Sequence, residues 1–386
     1  MNILHLSPYV PSLKTYHAGG VVMGKDVEFL SKKNNVFVVG FINDEKERAL
    51  TESYPYEHRF FESSSADKAR LIMKNPSLPA LFAIRSDKKI LEELKKIIRE
   101  KKIDAVHAEY TAMGYYEVLK EVFPNLIFNL TEHDVVQQSY LRYVHDASGI
   151  KKVMLNSQLN KVVSNERKYL EKADHILVLN DKDKNLVQKY YGLGEKTDIF
   201  NPYFGVDEDD RAVEKEENSI CFVGQMARQE NVSAAKRLIR IVKEIRGKIP
   251  VTLYIIGANP PDDIKAEEND FIHVTGFVDD INLAIKKCEI AVFPLMEGAG
   301  IKIKVLQALG LNLPVVTTHV GAEGIDPEGK NGLILAETDD EIKKEIIALL
   351  SDKKYYDEKL SLSEKLMKEK FSMERTVKLF NELYNS

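Results

Sequence analysis

The sequence predicts an α/β protein built as two tandem domains, each a parallel sheet covered by helices on both faces. Three observations carry this. Short apolar runs alternate with helical patterns along the chain, the pattern of parallel strands joined by crossover helices. The alternation breaks once, at the acidic, irregular stretch 198–217, and then restarts. Residues 289–326, EIAVFPLMEGAGIKIKVLQALGLNLPVVTTHVGAEGID, read as strand, glycine loop, helix and second strand.

Composition bounds the rest. The chain has 386 residues, enough for two domains of ordinary size. At 44% hydrophobic and 30% charged it has the make-up of a soluble globular protein. A net charge of −5 gives no support to nucleic acid as a partner. Cys221 and Cys288 are too few for a disulfide scaffold or a cysteine zinc site. Both lie in or beside apolar runs and are expected to be buried and reduced, which suits the cytoplasm. No leader pattern precedes the first strand, and no apolar run reaches the ~18 residues of a membrane span.

In chain order, residues 2–7 form a buried strand, and a helix is expected from 21 to 32. Gly19 and Gly20 then sit at the first strand–helix junction, the usual ligand edge of an open α/β sheet. They do not make a G-x-G-x-x-G fingerprint, and a plain turn explains them equally well. Residues 36–41 are strand two, and 43–59 read as polar and irregular. Residues 86–102 form an amphipathic helix with Ile90, Leu91, Leu94, Ile97 and Ile98 on one face and a basic opposite face. Such a helix covers a sheet, and its basic face could also rest on anionic lipid. Strands follow at 104–108 and 126–130. The latter leads into Thr131, Glu132, His133 and Asp134, polar residues at a parallel strand's C-terminal end. His133 can exchange a proton near neutral pH, although a lone histidine is often structural. Residues 173–179 read as the last strand of this half. Asp181, Lys182 and Asp183 resemble a metal-binding D-x-D, but their place at a helix start favours capping.

The second half has strands at 219–223, 252–256, 271–275, 290–293, 315–317 and 333–335. Three helical patterns close the chain, at 339–350, 354–370 and 372–384. Within 289–326, the loop Glu297, Gly298, Ala299, Gly300 opens a helix. Bare amides at a helix N-terminus stabilise an anion such as phosphate, and glycine permits close approach. Lys302 and Lys304 fall in the first turn, where the helix dipole disfavours cations. Two lysines there make sense beside an anion, although surface lysines after an ordinary loop would look the same.

These segments resemble the GT-B glycosyltransferases of family GT4. The second half carries FVGQM (222–226), LYIIGANP (253–260), HVTGFVDD (273–280), VFPLMEGAGIKIKVLQALGLNLPVV (292–316) and EGI (323–325), in the family's order. The first half matches more weakly through HLSPY (5–9), Gly19 and Gly20, TEHD (131–134) and ERKYLEKADHILVLND (166–181). The resemblance implies two Rossmann-like domains facing across a cleft: an acceptor domain at 1–198, a nucleotide-sugar domain at 205–368, and a C-terminal helix within 369–386 returning to the first domain. It implies that Glu297 contacts the donor sugar's hydroxyls and that Gly298, Ala299 and Gly300 hold phosphate. It also implies that His133 lies near the donor sugar and that Gly19 and Gly20 face the diphosphate. No resident cofactor or metal is expected, the nucleoside-diphosphate sugar being a substrate. The acceptor is expected to be a glycan or lipid-linked, in cell-surface polysaccharide synthesis, with cytoplasmic or peripheral inner-membrane placement.

The chain departs from the family pattern. Gln307 stands where a second glutamate usually binds ribose. Gln225 and Asn231 stand where Arg and Lys usually meet the diphosphate. Lys304 is the candidate replacement cation, with Arg228 and Lys302 behind it, and a subgroup with G-x-G-x-K-x-K in this loop looks similar. The leading expectation is a retaining, metal-independent glycosyltransferase. A catalytically inactive GT-B partner protein is the alternative that Gln225, Asn231 and Gln307 motivate. A nucleotide-sugar epimerase ranks below both, and the missing G-x-G-x-x-G argues against a nicotinamide dehydrogenase.

Overall fold

The computed structural model describes residues 1–15, 18–203, 212–297 and 301–384. The chain divides into two compact units, Met1–Tyr203 with Met373–Ser386, and Phe204–Ser372.

The first unit holds seven strands: β1 (Asn2–Leu6), β2 (Asn35–Ile42), β3 (Glu57–Glu62), β4 (Ala105–Glu109), β5 (Ile127–Glu132), β6 (His175–Val178) and β7 (Thr197–Ile199). They pair in parallel in the order β3-β2-β1-β4-β5-β6-β7. Helices α1 (Ala18–Ser31), α2 (Lys88–Lys101), α3 (Val136–Asp146), α4 (Gly149–Lys172) and α5 (Asp181–Tyr191) include the crossovers. The core is built from alternate strand residues such as Leu4, Leu6, Val106, Ala108, Phe128 and Leu130.

The second unit holds β8 (Ser219–Val223), β9 (Thr252–Ile256), β10 (Ile272–Gly276), β11 (Ile290–Phe293), β12 (Val315–Thr317) and β13 (Ile334–Leu335), in the order β10-β9-β8-β11-β12-β13. Helices α6 (Gln229–Ile245) and α7 (Ile303–Gly310) flank its central strands. The last helix, α8 (Met373–Tyr384), belongs to the first unit. Its Phe380 ring lies 5.4 Å from Phe200 and 5.7 Å from His107.

Two strands depart from expectation. Residues 57–62 form β3 and not irregular chain, and β7 follows the strand at 175–178 that was expected to be the last. Both are edge strands with polar or exposed residues, so neither presents an apolar run. Residues 204–211, with Gly205 of the expected linker, lie outside the described residues. The Asp181–Asp183 segment is a helix cap: Asn180 Oδ1 accepts from the Asp183 amide at 2.9 Å and its Nδ2 donates to Asp183 Oδ2 at 2.8 Å. On α2 the apolar stripe is buried. The basic face is partly neutralised by Lys95–Glu92, Lys96–Glu93 and Lys101–Glu57 ion pairs.

Candidate active site

In each sheet the strand order reverses at one point, β1/β4 in the first unit and β8/β11 in the second. Ligands of open α/β sheets bind outside the strand C-termini at such points. The candidate residues gather at both.

In the first unit, β1 supplies His5, and β4 supplies His107 and Glu109, all buried. The Glu109 carboxylate accepts at Oε1 from His5 Nε2 (3.2 Å) and His107 Nε2 (3.1 Å), and at Oε2 from His133 Nε2 (2.8 Å). Burial acts to raise the Glu109 carboxyl. The His107 charge and hydrogen bonds from His107, His133 and His5 outweigh it and hold the group well below the usual range. Asp26 on α1 goes the other way: burial, then the adjacent Glu109, pushes it well above the carboxylate range. Glu109 is therefore the anion and Asp26 the protonated partner. Burial also lowers His5. An ionised carboxylate only accepts, so each histidine presents Nε2–H to Glu109. The second nitrogen of His107 meets the Tyr384 hydroxyl of α8 at 2.6 Å. His5, His107 and Glu109 also have metal-ligand spacing, their donor atoms lying within 4.8 Å of one another. Those same atoms are committed to the hydrogen-bonded hub.

His133 sits beyond the end of β5, stacked on Tyr110 with ring centroids 3.8 Å apart and planes 5° from parallel. Tyr110 has φ 69° and ψ 142°, a left-handed value that costs a bulky residue about 1–3 kcal/mol and gathers at functional sites. The Thr131 carbonyl anchors it, accepting from its amide at 2.8 Å. A Cβ on Gly19 would lie 1.9 Å from the Tyr110 hydroxyl. Gly19 and Gly20 lie inside the first turn of α1 and not in a loop before it, which corrects the expected helix start at 21. The missing side chain at 19 makes room for Tyr110, while the Gly20 carbonyl accepts from the Ser12 amide at 3.1 Å.

In the second unit, Lys302 is the N-cap residue of α7 and Lys304 its second residue. The Lys304 ammonium donates to Asn231 Oδ1 on α6 and lies 5.3 Å from the Phe222 ring centre. Asn231 in turn donates from Nδ2 to the Gln225 carbonyl at 2.8 Å. Burial, then the neighbouring Arg228 and Lys302 charges, pull Lys304 down to about 8 against the opposing pull of Glu230. Lys302 is nearly buried, with Glu323 Oε2 at 3.8 Å. Arg228 pairs with Glu230 at 2.6 Å. Gln307 donates from Nε2 to Asn282 Oδ1 at 2.8 Å. Glu297 is exposed at the chain's approach to residues 298–300. Gly298, Ala299 and Gly300 lie outside the described residues.

The chain thus brings Gly19 and His133 together through Tyr110, and brings Lys304, Gln225 and Asn231 together through hydrogen bonds. Sequence reading missed Glu109, His107, His5, Asp26, Tyr110 and Tyr384. Only the polar residues within otherwise apolar strands, His5 and His107, gave a signal.

Residues 217–352 match the family model described as glycosyl transferases group 1. The chain is similar to sucrose-phosphate synthase from Thermosynechococcus elongatus (TM-score 0.70, 13% identity, covering 100% of this chain and 98% of that one). It is also similar to HepE from Anabaena in complex with UDP-glucose (0.68, 12%, 100% and 99%). TarM of S. aureus in a complex containing UDP compares equally well (0.67, 11%, 100% and 100%). No curated protein matches the chain. At these identities the likeness fixes the fold: GT-B, over the whole chain.

Proposed function

We propose that this chain, with its GT-B fold and a group 1 glycosyl transferase segment, transfers a sugar from a nucleoside-diphosphate sugar to a glycan or lipid-linked acceptor. The reaction proceeds with retention and without a metal. The observation that carries the reading is the placement of Lys304. Asn231 and Gln225 leave the second unit without the expected cations, and the Lys304 ammonium is hydrogen-bonded to Asn231 itself. The charge absent at position 231 is supplied at that position from α7. A part-buried lysine beside Arg228 and Lys302, with Glu230 opposing them, gains from a further anion, and a diphosphate is such an anion.

In this reading Lys304, Lys302 and the start of α7 stabilise the leaving diphosphate, the charge that develops as the glycosidic bond breaks. Arg228 lies behind them, and Gly298, Ala299 and Gly300 offer amides. Glu297 accepts hydrogen bonds from sugar hydroxyls, and Gln307 serves the ribose through its amide. His133, with Nε2–H committed to Glu109, turns Nδ1 to the sugar. Gly19 and Gly20 act by admitting Tyr110 and the helix start. The donor phosphate takes the acceptor's proton, so no protein nucleophile is assigned.

The test is a thermal-shift screen of nucleoside diphosphates and their sugars, followed by a transfer assay with and without EDTA. A diphosphate at 100 times its Kd adds about 2.7 kcal/mol of stability. NMR of the product should show the donor's anomeric configuration. Activity abolished by EDTA would end the metal-free claim. Absence of binding at millimolar concentration, for every nucleotide, would favour a non-catalytic partner protein instead.

A further inference from the structure

The residue before His133 is a buried acid that the chemistry above leaves unused. Glu132 closes β5 and Glu166 lies on α4, and both are fully buried. The span from His133 to Val135 runs between Glu132 and the first residue of α3, Val136, and it is held at both ends. On one side Glu132 is in register with Val178 of β6. On the other, α3 has no cap of its own, because Val135 at the N-cap position offers no side-chain acceptor. Glu166 supplies one from α4. Its Oε1 accepts from the Val136 amide at 2.7 Å and its Oε2 from the Gln137 amide at 2.9 Å. The Tyr191 hydroxyl of α5 donates to the same Oε2. Both oxygens of Glu166 therefore act as acceptors, and a negative charge there also answers the helix dipole.

Glu132 is the opposite case. Among the described residues no donor meets either of its oxygens in hydrogen-bond geometry. Its polar neighbours are Thr111 and the carboxyls of Glu166 and Asp183. Two buried carboxyls in contact cannot both stay ionised, since each has lost its water and repels the other. One proton between them removes the repulsion and makes Glu132 a donor to Glu166. Burial, then the Glu166 charge, pushes Glu132 well above the carboxylate range. Burial raises Glu166 as well, but Tyr191 and the two amides oppose it. The groups facing the pair from α5 are Asp183, which accepts from Asn180, and Tyr191, whose hydroxyl is pushed up by burial and then by Glu166. Arg167 on α4 directs its guanidinium to the Tyr190 and Tyr191 carbonyls.

We infer that Glu166 is a positioning residue for His133: it grips the start of α3 as an anion, and a proton shared with Glu132 keeps that grip. This deepens the transferase reading and rests on it for its purpose, because the span so fixed is the one that presents His133 to the donor sugar.

The test places an uncharged isostere at each carboxyl in turn and reads hydrogen exchange by NMR at neutral pH, without nucleotide. In the parent, the Val136 and Gln137 amides and the His133 Nε2–H should all exchange slowly. Glu166→Gln turns an –NH2 group towards one of the amides and should speed all three by roughly tenfold or more. Glu132→Gln keeps a donor where the shared proton lies and should leave all three within about twofold of the parent. Turnover should fall with Glu166→Gln at an unchanged affinity for nucleoside diphosphate. If Glu166→Gln does not fold, Tyr191→Phe takes its place: it withdraws one donor from the same carboxylate and should raise the same rates by a smaller factor. A parent-like His133 Nε2–H rate in the variant that is read would reduce Glu166 to a cap of α3 and overturn the inference. Equal acceleration by Glu132→Gln would overturn the shared proton. The exchange rates need no substrate, so a protein that transfers no sugar leaves this result standing.

Discussion

At the scale of the residue, Lys304 ties the chain's departures from the glycosyltransferase pattern it resembles to a measurable titration. Its ammonium is lowered to about 8, so the free protein holds a partly neutral lysine at mildly alkaline pH. A bound diphosphate favours the charged form and raises that value. Below pH 8 the anion meets an ammonium already formed. Above it, binding must take up a proton, and affinity should fall by up to about tenfold per pH unit. Lys304→Ala should bind nucleoside diphosphate about 1.5–3 kcal/mol more weakly, the worth of a charge-assisted hydrogen bond, and should lack the alkaline fall. Comparing parent with variant by calorimetric titration removes the nucleotide's own ionisation. Glu297→Ala should leave diphosphate binding nearly unchanged and reduce turnover of the nucleotide sugar. Parallel pH profiles for parent and Lys304→Ala would show that the lysine does not touch the diphosphate.

At the scale of the element, α8 shows how a distant segment completes the first unit. Phe380, Leu383 and Tyr384 are buried, and the Tyr384 hydroxyl meets His107, which in turn meets Glu109. Phe380→Ala should cost about 3–5 kcal/mol, the range for emptying a buried aromatic site. The chain has no tryptophan, so urea unfolding followed by far-UV circular dichroism is the measurement. A parent-like midpoint would remove α8 from that core. The same element marks what a sequence can reveal. The apolar period of α8 is visible, but not its contact with a histidine 277 residues away in the chain. Strands β8, β9, β11 and β12 are legible to the residue because buried parallel strands are written as unbroken apolar runs. Strands β3 and β7 are hidden because an edge needs no such run. His133 is legible from its place after a strand. The cluster around its partner Glu109 is not, since His5, Asp26 and Glu109 lie on β1, α1 and β4, which only the fold brings together. Lys304 was legible as a candidate, while its bond to Asn231 required two helices to be placed.

At the scale of the whole molecule, the two units carry buried ionisable groups of opposite sense. In the first, burial raises Asp26, Glu132 and Glu166, with Glu109 adding to the first and the Glu132–Glu166 contact to the second. A carboxyl raised in the folded state contributes stability that is complete below its unfolded value and lost as pH climbs through the folded one. Glu109 and His5 are lowered, so their slopes lie at acid pH and are finished by about pH 7. In the second unit Lys304 is lowered to about 8, so the unfolded chain binds its proton more tightly and folding gains as pH rises from there towards the ordinary lysine value. From about pH 7 upward the first unit should therefore lose stability through any of these carboxyls still protonated there, while the second holds or gains. Each carboxyl still protonated contributes up to about 1.4 kcal/mol per pH unit to that loss. Scanning calorimetry across this window should show two transitions drawing apart. Glu132→Gln removes one raised carboxyl and should flatten the falling transition, which assigns it to the first unit. If both transitions move together, or if Glu132→Gln leaves the slope intact, Glu132 does not hold its proton in this window.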